Sequence, residues 1–302
     1  MTADNLQRKT YNLTLNLPLK IDAHQHFWKF DPVRDGWITE EMQIIRKDFL
    51  PGDLQPILKE NDFDGCVAVQ EDQSENETEF LLRLAQQNEF IKAVVGWVDL
   101  CDEKISERLS YWSQFNLIKG FRHILQGEKD RAFMLRSEFM RGIAALKEFD
   151  FTYDILIFPD QLKYVNEFVE NFPGQKFVID HIGKPNIRDK KIEDWKNELK
   201  KIAAHENVFC KASGMVTEAD CNNWKQDDFT PWLDVVVEAF GINRILFGSD
   251  WPVCLLGGSY GEVIKIVANY FSSFTQNEQQ NFFGGNAIEF YNLNEYGSGI
   301  KK

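Results

Sequence analysis

Eight short apolar runs, separated by longer amphipathic segments, constrain the fold of this chain more than any other feature. The runs begin at residues 19, 64, 91, 117, 153, 176, 207 and 244 and read "LKIDAH", "DGCVAVQ", "IKAVVGWV", "LIKGFRH", "YDILIF", "KFVIDH", "NVFCKASG" and "RILFGSD". They lack the polar alternation of half-exposed strands, and continuous apolarity is typical of strands buried on both faces of a parallel sheet. We therefore predict eight parallel strands.

The segments between these runs have helical periodicity. Helices are predicted near 53–62, 77–88, 104–114, 134–148, 160–170, 190–204, 230–240 and 260–270, and Thr275 with Glu278 reads as a capping box for a C-terminal helical addition. Eight alternating pairs indicate a (β/α)8 TIM barrel of the α/β class, and no glycine-rich dinucleotide fingerprint supports the competing doubly wound sheet. We predict one barrel domain at 19–294, an N-terminal extension at 1–18 and a flexible tail at 295–302.

Charge and composition narrow the class of partner. The chain has 34 Lys and Arg against 47 Asp and Glu, a net charge of -13, which argues against a broad grip on nucleic acid or anionic membranes. No stretch has the length of a membrane span, and the first 20 residues lack a signal-peptide core. Five scattered cysteines without C-x-x-C spacing fit reduced thiols, so we expect a cytoplasmic protein.

Polar residues follow several of the predicted strands at the end where barrel enzymes place their chemistry. His24 and His26 are two apart, so both can converge on one point, with Asp22 on the same face one layer deeper. Asp250 could be a general base, a metal ligand or a turn residue before Pro252, and His181 could be a ligand or a turn histidine. From the residues alone these alternatives stay open.

Further candidates line the predicted mouth of the barrel. Arg122 could hold a carboxylate or a polarised carbonyl, although a surface ion pair is the commoner fate of arginine. Strand alternation allows only Arg122 or its neighbour His123 to face the mouth. The remaining candidates are pocket-wall residues or rings suited to stacking on a sugar: Gln70, Trp97, Trp28, Trp37, Trp251 and Tyr260.

Seven motifs, in order, carry a family resemblance: "DAHQHFW", "VQEDQSENET", "GFRHILQ", "DHIGKP", "FCKASGM", "FGSDWPVC" and "FFGGNAIEFY". Together they resemble the amidohydrolase-related (amidohydrolase 2) family, which includes sugar-acid lactonases and pyrone dicarboxylate lactonases. The similarity runs from about residue 20 to 294. It implies a TIM barrel that adds water to a small lactone, and we expect an aldonolactone of the L-fucono or L-rhamnono type.

The resemblance also implies roles for individual residues. His24 and His26 would hold and polarise the lactone carbonyl, His181 would be a third polar contact, and Asp250 would activate water. Arg122 would contact the substrate.

A metal is not required by this resemblance. The fifth strand offers no histidine, and Lys119 is out of phase with Arg122, so a binuclear site is not expected. We expect either no required cofactor or one optional divalent cation, with zinc the best match, on His24, His26 and Asp250. Rival functions are a metal-dependent decarboxylase, a pyrone dicarboxylate-type lactonase and a non-catalytic sugar-acid binder. Assembly into a homo-oligomer is left open.

Overall fold

Eight parallel strands form a barrel in the computed structural model, which describes residues 19–293. Each strand pairs with the next along the chain. The strands are β1 Ile21–Gln25, β2 Gly65–Val69, β3 Ile91–Gly96, β4 Ile118–His123, β5 Thr152–Ile155, β6 Phe177–Ile179, β7 Val208–Ala212 and β8 Ile245–Phe247. Each predicted run overlaps one of them, so the predicted TIM barrel is confirmed. The predicted extension 1–18 and tail 295–302 lie outside the described residues.

Helices occupy the segments between the strands, as the periodicity predicted. They are α1 Pro51–Glu60, α2 Glu75–Gln87, α3 Ile105–Trp112, α4 Ser137–Leu146, α5 Leu162–Glu170, α6 Glu193–Ala203, α7 Met215–Glu218, α8 Thr230–Phe240, α9 Tyr260–Phe271, α10 Gln276–Gln280 and α11 Asn286–Phe290. The predicted capping box is present, because Thr275 caps α10 together with Glu278. Over residues 19–293, every helix is too short or too polar to cross a lipid bilayer.

The first and last strands meet at a seam, formed where β1 and β8 continue into the segments after them. Gln25 and Trp251 form a parallel bridge, and the His26 amide donates to the Trp251 carbonyl at 2.7 Å. The Asp250 amide donates to the His24 carbonyl at 2.8 Å. Barrel closure therefore places the histidine pair beside Asp250.

A bulge in β1 decides which of its side chains face inward. Asp22 pairs with Cys66, but the next pair is Gln25 with Ala68, so β1 has one more residue than β2 over this interval. Such an extra residue reverses the inside-outside alternation beyond the bulge.

Asp22 consequently does not share a face with the two histidines, and the prediction that it lies beneath them is wrong. Its carboxylate accepts hydrogen bonds from the amide and hydroxyl of Ser249, at 2.9 and 2.6 Å, and from the Tyr260 hydroxyl at 3.1 Å. Ala23 packs in the inner cluster of the barrel instead. Asp22 thus ties the start of β1 to the end of β8 and to α9.

The C-terminal segment closes the barrel at the end opposite the histidines. Phe290 and Tyr291 belong to the inner cluster, and Phe290 packs on Phe209 with ring centroids 4.9 Å apart. The Lys176 ammonium, just before β6, lies 3.3 Å from the Glu289 carbonyl. The segment therefore meets the beginnings of the strands and leaves their C-terminal ends open.

Replacing Phe290 with alanine should destabilise the barrel without altering its open end. Phe290 is only 1% exposed, and removing a buried phenyl ring costs about 3–5 kcal/mol. Urea unfolding measures this loss. Val33→Ala is the control, since Val33 is 90% exposed and should change stability by less than about 0.5 kcal/mol. Equal stability of the two variants would show that the C-terminal segment does not support the core.

Candidate active site

A cavity of about 290 Å³ opens at the C-terminal ends of the strands, close to the lower end of the range of about 300–1,000 Å³ for small-molecule sites. Its wall combines polar and apolar side chains from the C-terminal ends of six strands and the loops that follow them. They are His26, Trp37, Glu71, Arg122, Ile124, Gln126, Gly127, Leu156, His181, Lys184, Asp250 and Val253. This is the end of a TIM barrel at which catalytic residues collect.

Three predicted ligand atoms converge at the floor of this cavity. His26 Nε2 lies 3.2 Å from His24 Nε2 and 3.3 Å from Asp250 Oδ1. The distance from His24 Nε2 to Asp250 Oδ1 is 3.8 Å. His24 itself is fully buried and does not line the cavity, so it supports His26 from behind.

These separations fit one cation. In a tetrahedral zinc site with bonds of about 2.0–2.1 Å, two ligand atoms lie about 3.3 Å apart. The three atoms of His24, His26 and Asp250 all lie within 4.8 Å of one another, as do those of a second group, His24, Asp180 and His181. The two nitrogens and one carboxylate oxygen of the first group are a donor set that zinc accepts.

The tautomers of the histidine pair follow from their outer nitrogens. His26 Nδ1 lies 2.8 Å from the Val69 carbonyl, which can only accept, so this nitrogen carries a proton. Nε2 then offers a lone pair to a cation in the neutral imidazole and donates to Asp250 in the imidazolium. His24 Nδ1 faces both a donor, Lys211 Nζ at 3.1 Å, and an acceptor, Asp180 Oδ1 at 3.2 Å. Either neutral tautomer of His24 therefore has a partner. One donates from Nε2 to His26, and the other offers a second lone pair to a cation.

His181 reaches the site through an unusual backbone. Its φ is 55°, and Ile182, Gly183 and Lys184 also have positive φ. A non-glycine residue in this region costs of order 1–3 kcal/mol, and such residues cluster at functional sites. His181 Nδ1 lies 2.9 Å from the Ser213 hydroxyl, and Nε2 lies 3.9 Å from Asp250 Oδ1. Burial lowers the pKa of His181 well below its usual value.

Asp250 also has a left-handed backbone, with φ 59°. Burial acts to raise the pKa of its carboxyl, but His181 and His26 outweigh it and hold the pKa below the usual value. The carboxylate is therefore ionised at neutral pH. It stands in the cavity wall as a proton acceptor surrounded by imidazoles.

Beneath the histidines lies a buried ion cluster that sequence reasoning missed. Lys211 in β7 is fully buried, and its ammonium contacts Asp154 Oδ2 and lies 3.0 Å from Asp180 Oδ1. Arg122 Nη1 lies 3.0 Å from Asp180 Oδ2. Burial raises the pKa of Asp154 to about 6, whereas Lys211 and His24 overcome burial and hold the pKa of Asp180 well below its usual value. Two cations thus face two carboxyl groups.

Arg122 lies in the cavity wall as predicted, and strand alternation sends His123 outward. His123 Nε2 lies 2.8 Å from Glu128, and its ring stacks on Phe133. Arg122 contacts the Gln70 carbonyl through Nη2, and its Nε has no acceptor among residues 19–293. Arg122 is therefore part of the ion cluster, and its side chain also lines the cavity.

Four predicted substrate contacts lie behind the cavity wall, so the structure corrects their assignment. Trp28 is fully buried and donates to the Lys47 carbonyl, and Trp251 packs its ring on Phe49. Tyr260 donates to Asp22, and the Gln70 side chain donates to the Arg122 carbonyl. Strands and loops pack directly around each of these side chains. Their contacts are therefore made within the barrel wall and not with a ligand. Of the proposed stacking residues, only Trp37 reaches the cavity.

Comparison with known proteins places these residues in a family. A model of the amidohydrolase family matches residues 21–293. The chain belongs to the amidohydrolase family. L-Fucono-1,5-lactonase of Burkholderia multivorans is 39% identical over 291 residues, covering 92% of this chain and 97% of that protein. The enzyme of the same name from Burkholderia ambifaria is 33% identical over 285 residues, covering 92% and 97%.

A solved amidohydrolase structure agrees over nearly the whole barrel. It comes from Burkholderia multivorans, contains bound zinc and is 39% identical, with a TM-score of 0.88 over 91% of this chain and 99% of that one. The family predicted from the seven motifs is thus confirmed.

Replacing Lys211 with methionine should strongly destabilise the protein. The change leaves Asp154 and Asp180 buried without their shared ammonium, and breaking a buried pair costs about 3–5 kcal/mol. Adding Asp154→Asn removes one stranded charge and should restore part of the loss. Urea unfolding of both single variants and the double variant gives the coupling energy. A coupling near zero would mean that the two charges do not stabilise each other.

Proposed function

We propose that the chain is a lactonase that opens a small neutral sugar lactone, of the L-fucono or L-rhamnono type, by direct attack of water. The observation that carries the proposal is an ionised carboxylate, Asp250, facing His26 and His181 at the floor of a small cavity. The family membership and the L-fucono-1,5-lactonases among the relatives support the substrate class.

Water attack follows from the groups at the floor. Asp250 accepts a proton from water as the oxygen attacks the lactone carbonyl carbon. The charge that develops on the carbonyl oxygen is received by His181 Nε2–H and by the Arg122 guanidinium, since both side chains line the cavity. The bond from this carbon to the ring oxygen then breaks, and Asp250 returns the proton to that oxygen. The product is an open-chain hydroxy acid.

Ser213 and the ion cluster hold these groups in place. With the Ser213 hydroxyl donating to His181 Nδ1, the proton of this imidazole stands on Nε2, toward the cavity. Asp180 fixes the Arg122 guanidinium from below. Base catalysis contributes typically 10² to 10⁴-fold, and a single oxyanion donor about 10² to 10³-fold.

Zinc is an optional addition in this proposal. His24, His26 and Asp250 would hold it, and a bound zinc ion would polarise the carbonyl as a Lewis acid. The zinc-bound relative supports the fit of the ion to this fold. The Arg122 guanidinium lies 3.3 Å from His24 Nε2, where its positive charge opposes a cation. We therefore propose that the chain's own donors suffice for turnover.

The rival functions make different predictions for the same preparation. A metal-dependent decarboxylase needs stoichiometric metal and loses activity on chelation, whereas a non-catalytic sugar-acid binder needs no base to activate water and would open no lactone. All five cysteines are free thiols, as in proteins of a reducing compartment, and we propose that the protein is located in the cytoplasm.

Asp250→Asn should lower kcat on the best lactone by about 10² to 10⁴-fold, because asparagine keeps the shape but cannot accept the proton. A pH-indicator assay over aldonolactones and aromatic lactones measures the loss, with zinc content determined before and after chelation. Asp130→Asn is the control, since Asp130 pairs with Arg136 on the surface. Near wild-type turnover by the Asp250 variant would exclude it as the base.

Gly214→Ala should displace His181. Gly214 has φ +62°, and a Cβ there would lie 2.5 Å from His181 Nδ1. We expect kcat/KM to fall by up to about 10²-fold, the cost of a misplacement near 1 Å. Gly241→Ala is the control for backbone strain, because its φ of 66° and ψ of 157° are at least as unfavourable for alanine while its Cβ would meet nothing within 4 Å. If both variants lose activity equally, backbone strain rather than His181 position is responsible.

A further inference from the structure

Glu71 is a carboxylate in the cavity wall that the reaction above does not use. It follows β2 and is 7% exposed. Its Oε2 accepts a hydrogen bond from the Trp37 indole at 3.1 Å, and Oε1 lies 3.5 Å from Arg34 Nη2. Oε1 has no hydrogen-bond partner within residues 19–293, so this carboxylate, whose residue lines the cavity, has spare acceptor capacity.

No cation is paired with Glu71 alone among the described residues around it. Arg34, its nearest cation, is bound more closely to Asp35, with Nε 2.6 Å from Oδ1. Glu77 of α2 and Asp72 add further carboxyl groups, and Glu77 is also buried. One guanidinium therefore faces several acidic groups, and the corner of the cavity beside Trp37 is short of positive charge.

The cations of the cavity wall are already paired. Arg122 is bound to Asp180, and Lys184 Nζ lies 3.9 Å from Glu218. In the proposed reaction Arg122 faces the lactone carbonyl, so a carboxylate elsewhere on the ligand would meet Glu71 and Asp250 with no further unpaired cation among the described residues that line the cavity. A neutral ligand with hydroxyl groups avoids this repulsion and can donate hydrogen bonds to Glu71.

Another part of the cavity wall is apolar, so it can orient a ligand that has both polar and apolar edges. Ile124 follows β4 and Leu156 follows β5, across the barrel mouth from the seam. A ring with hydroxyl groups on one edge and a methyl or methylene group on the other matches this division.

We propose that Glu71 selects the charge of the substrate, accepting hydrogen bonds from the hydroxyl groups of a neutral sugar lactone and rejecting lactones that carry a carboxylate. This specificity role rests on the proposed lactonase function and adds to it a residue outside the reacting group. Glu71 takes no part in bond making or breaking.

The test compares a neutral aldonolactone with the matching aldaric acid monolactone, in which a carboxylate replaces the hydroxymethyl group. Glu71→Gln keeps the size of the side chain and removes its charge. We expect the ratio of kcat/KM for the anionic lactone to that for the neutral one to rise about 10- to 50-fold. This is the effect of one like charge about 7 Å away at an effective dielectric constant near 20. The change should lie mainly in KM.

The pH dependence of the same ratio gives a second readout. Burial, followed by the charge of Asp35, raises the pKa of Glu71 to about 7, with Arg34 opposing and Asp72 reinforcing the shift. An acid is charged above its pKa, so rejection of the anionic lactone by the wild type should strengthen between pH 6 and 8. The Glu71→Gln ratio should stay flat over this range. Glu77→Gln is the matched control, a buried carboxyl of the same cluster that does not line this cavity.

The outcomes separate the two proposals. If the wild type opens no neutral lactone, the lactonase function fails. If it does, and the Glu71 variant is folded by thermal unfolding but keeps the wild-type ratio at both pH values, the specificity role is wrong. A wild type that prefers carboxylated lactones, including a pyrone dicarboxylate, also overturns it.

Discussion

Lys211 stands beneath the site with its ammonium in contact with Asp154, near Asp180 and 3.1 Å from His24. The positions of the site residues depend on this ammonium group. The ammonium compensates the charges of Asp154 and Asp180. Asp180 contacts both Arg122 and His24, and His24 in turn contacts His26. Without the ammonium, two buried carboxyl groups would repel each other and draw in water or protons. In the layer directly beneath the histidines, the barrel interior therefore contains an ion cluster and not apolar side chains. This cluster holds the polar groups of the site in fixed positions.

The seam adds the second half of the site. β1 supplies the histidines and the segment after β8 supplies Asp250, and the backbone bonds that join the two also set the distance between them. The bulge in β1 turns His24 and His26 inward while Asp22 anchors Ser249 outside. A regular strand would have put the histidines and Asp22 on one face, with a second carboxylate beside Asp250.

Much of the fold and part of the site could be predicted from the sequence, because buried strands appear in it as continuous apolar runs. Apolar runs located all eight strands, and residues directly after them, such as His181 and Asp250, reached the barrel mouth. Arg122 and His123 separated as strand alternation predicts. Lys211 and Asp154 were missed because a single charge inside an apolar run resembles a tolerated exception unless its partner on another strand is known.

Other errors came from properties that sequence spacing does not contain. One inserted residue in β1 reversed the expected phase of Asp22, and nothing local marks that insertion. Trp28 and Trp251 follow functional strands just as Trp37 does, yet only packing decides which ring faces the cavity. Glu71 was passed over because its importance lies in the scarcity of cations around it, a property of the assembled loops.

The seam also has a consequence for how the protein is made. Asp22 and Ser249 bond across 227 positions of the chain, so the first strand emerges from the ribosome long before its partner exists. Until then its histidines have no carboxylate beside them, and contacts of such high sequence separation form slowly. A nascent or truncated chain lacking β8 should therefore be inert, and the onset of activity during synthesis would report the moment at which the barrel closes.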